Sequence, residues 1–574
     1  MKRSDRQLTG ALNLVAVLAV LGTLAACSDS SSPSVTDASL TGRIVGPTIA
    51  GISYATPTES GVLSSDGEFR YAAGETITFS LGATKLATVT AADRLTWFNL
   101  AGLTSAPTGN GPVARYSNAL GDAPSLDRVG AIAALLTTVD EDQNLANGIV
   151  ITPAVAALFD DVTVSLDYAS DPTFDPSLKR LLRQAHRDGV LNARRPRNGG
   201  YALADVYAAN GIDAGLFVAE RYETDNGNNG QLDGVRRLTY NTTGEIVGDW
   251  LDQDGDGTPE ILVDLSYDSE GYGSVYATDR DADGTVDSTR SWQVDEFGDV
   301  IRYAEDTDGD GDDDFIELRT LNADYLRVRR EVINETRGTH TIEVWNTDAD
   351  GNRTSYDLDL EADGTYDTLV TMTYDKPLGP WRTRTQDDGR DGTVDQYRER
   401  DYDAADRIVR DANDTNGDGN FDTLETWVYD ANGLLITKSL DTDGDGAFDR
   451  IDNYTRNPQG WVLRSETDTD GDGNPNSVRE FTYDATGLQL VRDQDVDGDG
   501  TFDRYDTLTY NANRQLTEVA RDTNGDGQVD WRQTTVFDAD GRAVRSETDS
   551  NNDGTIETLR RFSEFVAVSI AQQF

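Results

Sequence analysis

The chain has 574 residues, 103 acidic against 50 basic side chains, a formal charge of −53 and a hydrophobic content of 37%. That leaves room for several domains but little apolar material for one large core, and so acidic a surface disfavours nucleic acid and anionic membrane as partners. Cys27 is the single cysteine, so no intrachain disulfide can form, and with only His186 and His340, no Gly-x-Ser-x-Gly and no phosphate loop, little points to catalysis.

In chain order, Lys2, Arg3 and Arg6 precede an apolar run from Ala11 to Leu24, which ends in Leu24-Ala25-Ala26-Cys27. The run is short for a membrane span and has the form of a signal peptide over residues 1–26. The last four residues resemble the lipobox of bacterial lipoproteins. That resemblance implies lipidation of Cys27 as the mature N-terminus, and Ser28 after it implies sorting to the outer membrane, at its surface or periplasmic face. Membrane is then a partner only through the anchor. Residues 27–38, rich in Ser, form a flexible tether.

Residues 39–103 read as a small antiparallel β-sandwich. Glu68–Tyr71 and Thr76–Leu81 alternate apolar and polar residues, with turns at Asp66-Gly67 and Ala73-Gly74. The segment resembles transthyretin-like or carboxypeptidase-regulatory-like modules. Residues 104–218 read mainly as helix, one opening at Ser125, another over about Pro176 to His186 and a third after Tyr201. Between the first two, Asp140-Glu-Asp-Gln-Asn144 places oxygen donors at alternate positions. It lacks a glycine at the sixth, which favours a polar turn over a cation loop.

From residue 223 to 562 one pattern repeats, mostly every 27 residues: carboxylates at loop positions one, three, five and nine with glycine at six, as in Asp441-Thr-Asp-Gly-Asp-Gly-Ala-Phe-Asp449. The candidate ligands are Asp225, Asn229 and Asp233; Asp252, Asp254, Asp256 and Glu260; Asp279, Asp281, Asp283 and Asp287; and Asp306, Asp308, Asp310 and Asp314. They continue with Asp359, Glu361, Asp363 and Asp367; Asp387, Asp391 and Asp395; Asp414, Asn416, Asp418 and Asp422; and Asp441, Asp443, Asp445 and Asp449. The last are Asp468, Asp470, Asp472 and Asn476; Asp495, Asp497, Asp499 and Asp503; Asp522, Asn524, Asp526 and Asp530; and Asp549, Asn551, Asp553 and Glu557. Between Asp306 and Asp359 the gap of 53 leaves space for one degenerate copy around Gly338, which makes thirteen slots and an expected weak joint near Asn334–Gly338. Oxygen ligands at alternate positions, with neither His nor Cys among them, suit a hard cation, and calcium is the expected cofactor.

Each copy also carries a second turn, with Asx at position seventeen in eleven copies, an aromatic before it in eight and glycine three residues later in most, as in Tyr429-Asp-Ala-Asn-Gly433. Strand-like segments such as Arg504–Tyr510 lie between loop and turn. The turn resembles the tyrosine-aspartate repeats of the Rhs and teneurin families, which implies a long spiralling sheet. The loop resembles those of integrin-type and thrombospondin type 3 repeats. The expected fold is mainly β: the sandwich and helical segment, then a hairpin array forming a spiral sheet, with a β-propeller as the alternative and residues 563–574 as a closing strand. Tyrosines and tryptophans such as Trp292 and Trp427 read as stacked sheet core, with a sugar platform as the alternative. The expected function is that of a calcium-stabilised surface lipoprotein with a structural or adhesive role, binding an extracellular glycan or protein. A polysaccharide-binding or scaffolding module serving an enzyme is the alternative, and a glycan-active enzyme a distant third.

Overall fold

The computed structural model describes residues 39–573 apart from 118–124, 161, 165, 167–175, 269–270, 323–325, 349–351 and 377–378. The leader, Cys27 and the tether lie outside the described residues.

Residues 39–215 form one unit around a single apolar core. One sheet orders the strands Glu68–Tyr71, Leu40–Val45 and Arg94–Thr96, and the other Ser60–Val62, Ser53–Ala55, Thr76–Leu81 and Thr84–Thr90. Their alternating apolar residues meet face to face, with Phe69 and Phe79 edge-on at 5.6 Å. The helix Leu126–Val139 starts where Ser125 Oγ accepts the Asp127 N–H at 3.1 Å. It is buried almost all round, which explains its apolar residues on every face. A short parallel pairing of Ile49–Ala50 with Ile149–Val150 ties the helical segment to the sheets.

The array is neither a spiral sheet nor a propeller: twenty-six antiparallel strands, from Leu216–Asn226 to Thr558–Val568, pair in chain order, and the last pairs with the first to close a barrel. Thirteen near-identical hairpins give the sheet a constant curvature that returns it to its start. Closure then removes both exposed edges, and unbroken pairing leaves no blades. The seam runs from Leu216↔Val568 to Asn226↔Thr558, and both seam strands have 11 residues where most others have 7. Thus the barrel begins at Leu216, seven residues ahead of the array expected at 223, and the expected closing segment is the end of its last strand.

Hairpin connectivity puts all the acidic loops on one rim and all the Asx turns on the other. At the turns the ladder slips one residue just before the aromatic position, as between Thr509 and Tyr510, and the closing glycine has positive φ, as at Gly433 (87°). Four turns are stapled to the preceding hairpin: the hydroxyl of Tyr267, Tyr374, Tyr402 or Tyr483 donates to the carbonyl 21 residues earlier at 2.8–3.0 Å. Arg456 stands where a tyrosine is expected and keeps the bond, its Nε donating to the Leu435 carbonyl at 3.2 Å.

Few side chains of the barrel wall are fully buried, and most of its acidic residues are paired with Arg or Lys. Asp506, 1% exposed, is held by Arg492, Arg504 and Arg521, Glu317 by Arg319 and Arg330, and Asp411 by Arg398 and Arg400. A cavity of about 650 Å³, lined by Tyr222, Arg236, Thr535, Ser546, Arg560 and Phe562 across neighbouring strands, marks their face as the concave one. Seven-residue strands with ion pairs on both faces do not suit a membrane wall, which needs roughly 9–11 residues per strand and an apolar outer band.

Candidate metal centres

Each acidic loop begins at the end of a strand, so its first aspartate is fixed by the sheet. Eleven of these twelve residues are buried (Asp225, Asp252, Asp279, Asp306, Asp359, Asp414, Asp441, Asp468, Asp495, Asp522 and Asp549), and Asp387 is half-buried. Backbone N–H groups hold the carboxylate in place. In the Asp441 loop, Gly444 donates to Oδ1 at 2.7 Å and Gly446 to Oδ2 at 3.0 Å. Asp445 accepts from Ala447 at 2.8 Å, and Asp449 reaches back to the Thr442 N–H at 2.6 Å. The Thr hydroxyl and N–H at position two hold the carboxyls of Asp314, Asp422 and Asp449 below the usual range. At Asp468 and Asp522 burial works against ionisation, but the loop N–H groups outweigh it and leave both lowered.

These constraints draw oxygens together. Asp252, Asp254, Asp256 and Glu260 bring carboxylate oxygens within 4.8 Å of one another, as do Asp279, Asp281 and Asp287; Asp306, Asp308 and Asp314; Asp441, Asp443 and Asp445; and Asp468, Asp470 and Asp472. The loops from Asp225, Asp359, Asp387, Asp414, Asp495, Asp522 and Asp549 repeat the bond from the position-six glycine to the first carboxylate at 2.7–3.0 Å. Among the described residues, no loop donor forms a salt bridge with Lys or Arg, although the wall acids between the loops are widely paired. Such an all-oxygen set with free lone pairs fits a hard divalent cation, and its variable donor number fits calcium better than magnesium.

Two positions carry more than their sequence role suggested. Position four is glycine in seven loops, with φ of 65–74°, and a Cβ there would collide with the position-eight carbonyl of the preceding loop: Gly444 with Phe421, Gly471 with Phe448, Gly525 with Phe502. Successive loops therefore nest against one another around the rim. In the other five, Asn228, Ala282, Ala362, Arg390 and Asn552 take the left-handed conformation at φ 46–53°. There the bond to the first Oδ1 comes from position five instead, at 3.0–3.2 Å in four loops, and is missing at Asp279, whose buried Oδ1 has no partner. The recurring Gly-x-Gly was the available signal, visible once the first glycine is read as well as the second.

The thirteenth connection is not a weakened loop. Strands Arg327–Asn334 and Thr339–Thr347 pair as far as Asn334↔Thr339 across a four-residue turn, closed by the Gly338 N–H on the Glu335 carbonyl at 3.0 Å. Asp140–Asn144 is a polar turn: Asp140 accepts from Val150 N–H at 2.7 Å, and the Arg194 guanidinium occupies the carbonyls of Thr138, Asp140 and Glu141.

The opposite rim receives the N-terminal unit. Lys179 and Arg183 bind Asp299, Arg195 binds Asp268 at 2.7 Å, Asn110 exchanges two bonds with the Phe217 backbone, and Gly111 abuts Asn513 and Gly541. These contacts lie on both sides of the seam. Phe297, fully buried, and Ile570, 2% exposed, complete the unit's own core.

No family model matches the chain, and no curated protein does. Solved structures similar to it include the Photorhabdus luminescens Tc holotoxin pore (15% identity, TM-score 0.32, 58% of this chain and 18% of that one). Another is a TcdB2-TccC3 structure without its hypervariable C-terminal region (15% identity, TM-score 0.31, 59% of this chain and 19% of that one). A porin-like protein from Bacteroides uniformis follows at 10% identity and TM-score 0.18, covering 46% of this chain and 93% of that one. The chain thus spans about a fifth of the length of the toxin chains it matches. Likeness at this level does not establish a common fold, and the closure described above rests on the chain's own strand pairing.

Proposed function

We propose that the protein is a calcium-stabilised β-barrel with a structural or binding role at the cell envelope, anchored through Cys27, and that it is not an enzyme. The observation that supports this is the sorting of charge. Most wall acids are paired with Arg or Lys, whereas the candidate ligand acids of the loops converge in groups and form no salt bridge among the described residues. Bound calcium would supply the missing positive charge. The first, third, fifth and ninth residues of each loop would hold it, while the nested position-four glycines pass the constraint from loop to loop. A site at ten times its dissociation constant gains about 1.4 kcal/mol, so twelve sites would add about 17 kcal/mol. Both histidines are engaged away from any nucleophile, His186 against the Phe297 ring and His340 on Glu331 at 2.7 Å. The anchor rests on Leu24-Ala-Ala-Cys27.

Calcium titration of the chelated full chain tests the reading. The unfolding midpoint should rise and saturate as about a dozen ions bind, with half-saturation on the order of 0.1–1 mM, as for extracellular modules. A midpoint indifferent to calcium would remove it. For the anchor, fatty-acid labelling should mark the wild type and not Cys27→Ser.

A further inference from the structure

The junction between the N-terminal unit and the turn rim holds a cavity of about 380 Å³ that the metal centres do not use. Tyr272, Trp292 and Phe297 supply aromatic walls, and Lys179 and Arg195 line the cavity with them. Trp292 is set by Tyr303, whose ring is tilted against it at 5.5 Å. The Arg195 guanidinium lies 4.8 Å from the Tyr272 ring centre and reaches Asp268 through Nη1, yet its buried Nε has no partner. Arg183 Nε and Asp295 Oδ2 are also buried without partners, but their residues stand outside the cavity lining. Burial pushes the Asp295 carboxyl up, against the pull of Arg183 and Lys179.

The formal charges balance, since Lys179, Arg183 and Arg195 stand with Asp268, Asp295 and Asp299. An ionic ligand would therefore gain little net attraction. Within the lining, the Arg195 Nε–H is the donor without an acceptor, and the Trp292 ring stands in the same wall. The occupant should offer an apolar ring face together with uncharged acceptor oxygens, and hydroxyls on a saturated ring do this. The volume lies at the small end of ligand pockets, roughly 300–1,000 Å³, enough for one or two such rings. We propose that this junction is a carbohydrate site that takes a neutral pyranose, stacked on Trp292 and hydrogen-bonded through Arg195. The site needs the N-terminal unit docked on the barrel but does not depend on which cation fills the loops.

The test is saturation-transfer NMR on the full chain carrying Cys27→Ser, at saturating calcium. The probes are methyl α-glucopyranoside, methyl β-galactopyranoside and N-acetylglucosamine, with cyclohexanecarboxylate as the charged ring lacking the hydroxyl pattern. Transfer to the ring protons of at least one sugar is expected, with weakening in Trp292→Ala and loss in Gly273→Phe. Gly273 lines the cavity, and a Cβ built on it meets no atom within 4 Å, so the aromatic side chain can fill the space from a strand end. An unchanged unfolding midpoint in Gly273→Phe ties the loss to the cavity. Absence of transfer from all three sugars, transfer undiminished in Gly273→Phe, or binding of cyclohexanecarboxylate in their place would each overturn the assignment. The same sample's response to chelation reports on the calcium reading separately.

Discussion

Residues 39–215 and residues 216–568 solve the same problem with opposite means. The first unit buries Ile, Leu, Val and Phe in one continuous cluster, to which, among the described residues, the barrel and C-terminal segment add Leu216, Phe297 and Ile570 as buried members. The barrel, about twice as long, gathers no comparable cluster among its described residues. It is held by ladder hydrogen bonds, tyrosine staples, Arg–carboxylate pairs and closure. Burial acts locally and does not depend on solutes in the medium. A ring of weak repeats gains stability as a sum over neighbours, and that sum includes whatever occupies the loops.

The largest break in this comparison should come from chelation. Without calcium the barrel loses about 17 kcal/mol on the reading above and should open, expanding in solution scattering while the N-terminal unit keeps most of its helix signal. Protease should cut first in the acidic loops. The turn Glu335–Gly338 should be cut last, contrary to the weak joint expected from its sequence, because its four residues close without an ion. Cleavage that begins there would show that the other loops hold together unaided.

Truncation after Phe562 comes next. It deletes Val568 and Ile570 and half of the seam, so the barrel should open even at saturating calcium, and the N-terminal unit should lose about 2–5 kcal/mol with Ile570. A truncated chain with an unchanged scattering radius would mean that the seam is not what closes the ring. Phe297→Ala should cost about 3–5 kcal/mol and loosen the N-terminal unit, although the residue sits in a barrel turn. If thermal unfolding of the two regions separates further in this variant, Phe297 is the coupling residue.

The two regions were legible in the sequence to different degrees. The 27-residue period, the strand–turn–strand content and the position of the acidic loops could be read, because each depends on side-chain chemistry at fixed spacing. Closure could not, since it depends on how a small curvature per hairpin adds up over twenty-six strands, and no single residue encodes that. The pairing of Leu216–Asn226 with Thr558–Val568 is written only as two strands longer than their neighbours. Docking of the N-terminal unit was hidden in the same way: Phe297 reads as one more hydrophobic residue in a repeat, and Lys179, Arg183 and Arg195 as solvated helix and loop charges. Nesting of loop on loop was half visible, in the first glycine of Gly-x-Gly.

Glu317 sharpens the contrast inside the barrel wall. Its hydrogen bond from Arg330, helped by Arg319 and opposed by burial, holds its carboxyl down to about 2 from an ordinary 4.5. Since the folded value lies below the unfolded one, its contribution is complete above about pH 4.5 and is lost as the pH falls toward 2. Glu317→Gln should destabilise by about 2 kcal/mol at neutral pH, and the difference from wild type should shrink on acidification over that window. A difference independent of pH would assign the loss to packing instead of charge.

The smallest effect tests whether loops act on one another. Gly444 has φ of 71° and faces the Phe421 carbonyl of the loop before it, so Gly444→Ala meets both a strained backbone and a collision. Ala282 already takes φ of 53°, in a loop whose first carboxylate has an unpartnered Oδ1. Left-handed backbone costs an alanine about 1–2 kcal/mol, so Ala282→Gly should stabilise by up to about 1 kcal/mol once the added freedom of the unfolded glycine is subtracted. Gly444→Ala should cost more than that conformational term, because the Phe421 carbonyl must also move. The informative quantity is the double-mutant cycle of Gly444→Ala with Asp422→Asn, the ninth residue of the preceding loop. If loops nest as the rim geometry indicates, displacing the Phe421 carbonyl disturbs the Asp422 site, and the two changes will not add. Additivity within about 0.5 kcal/mol would show twelve independent loops that happen to share a rim.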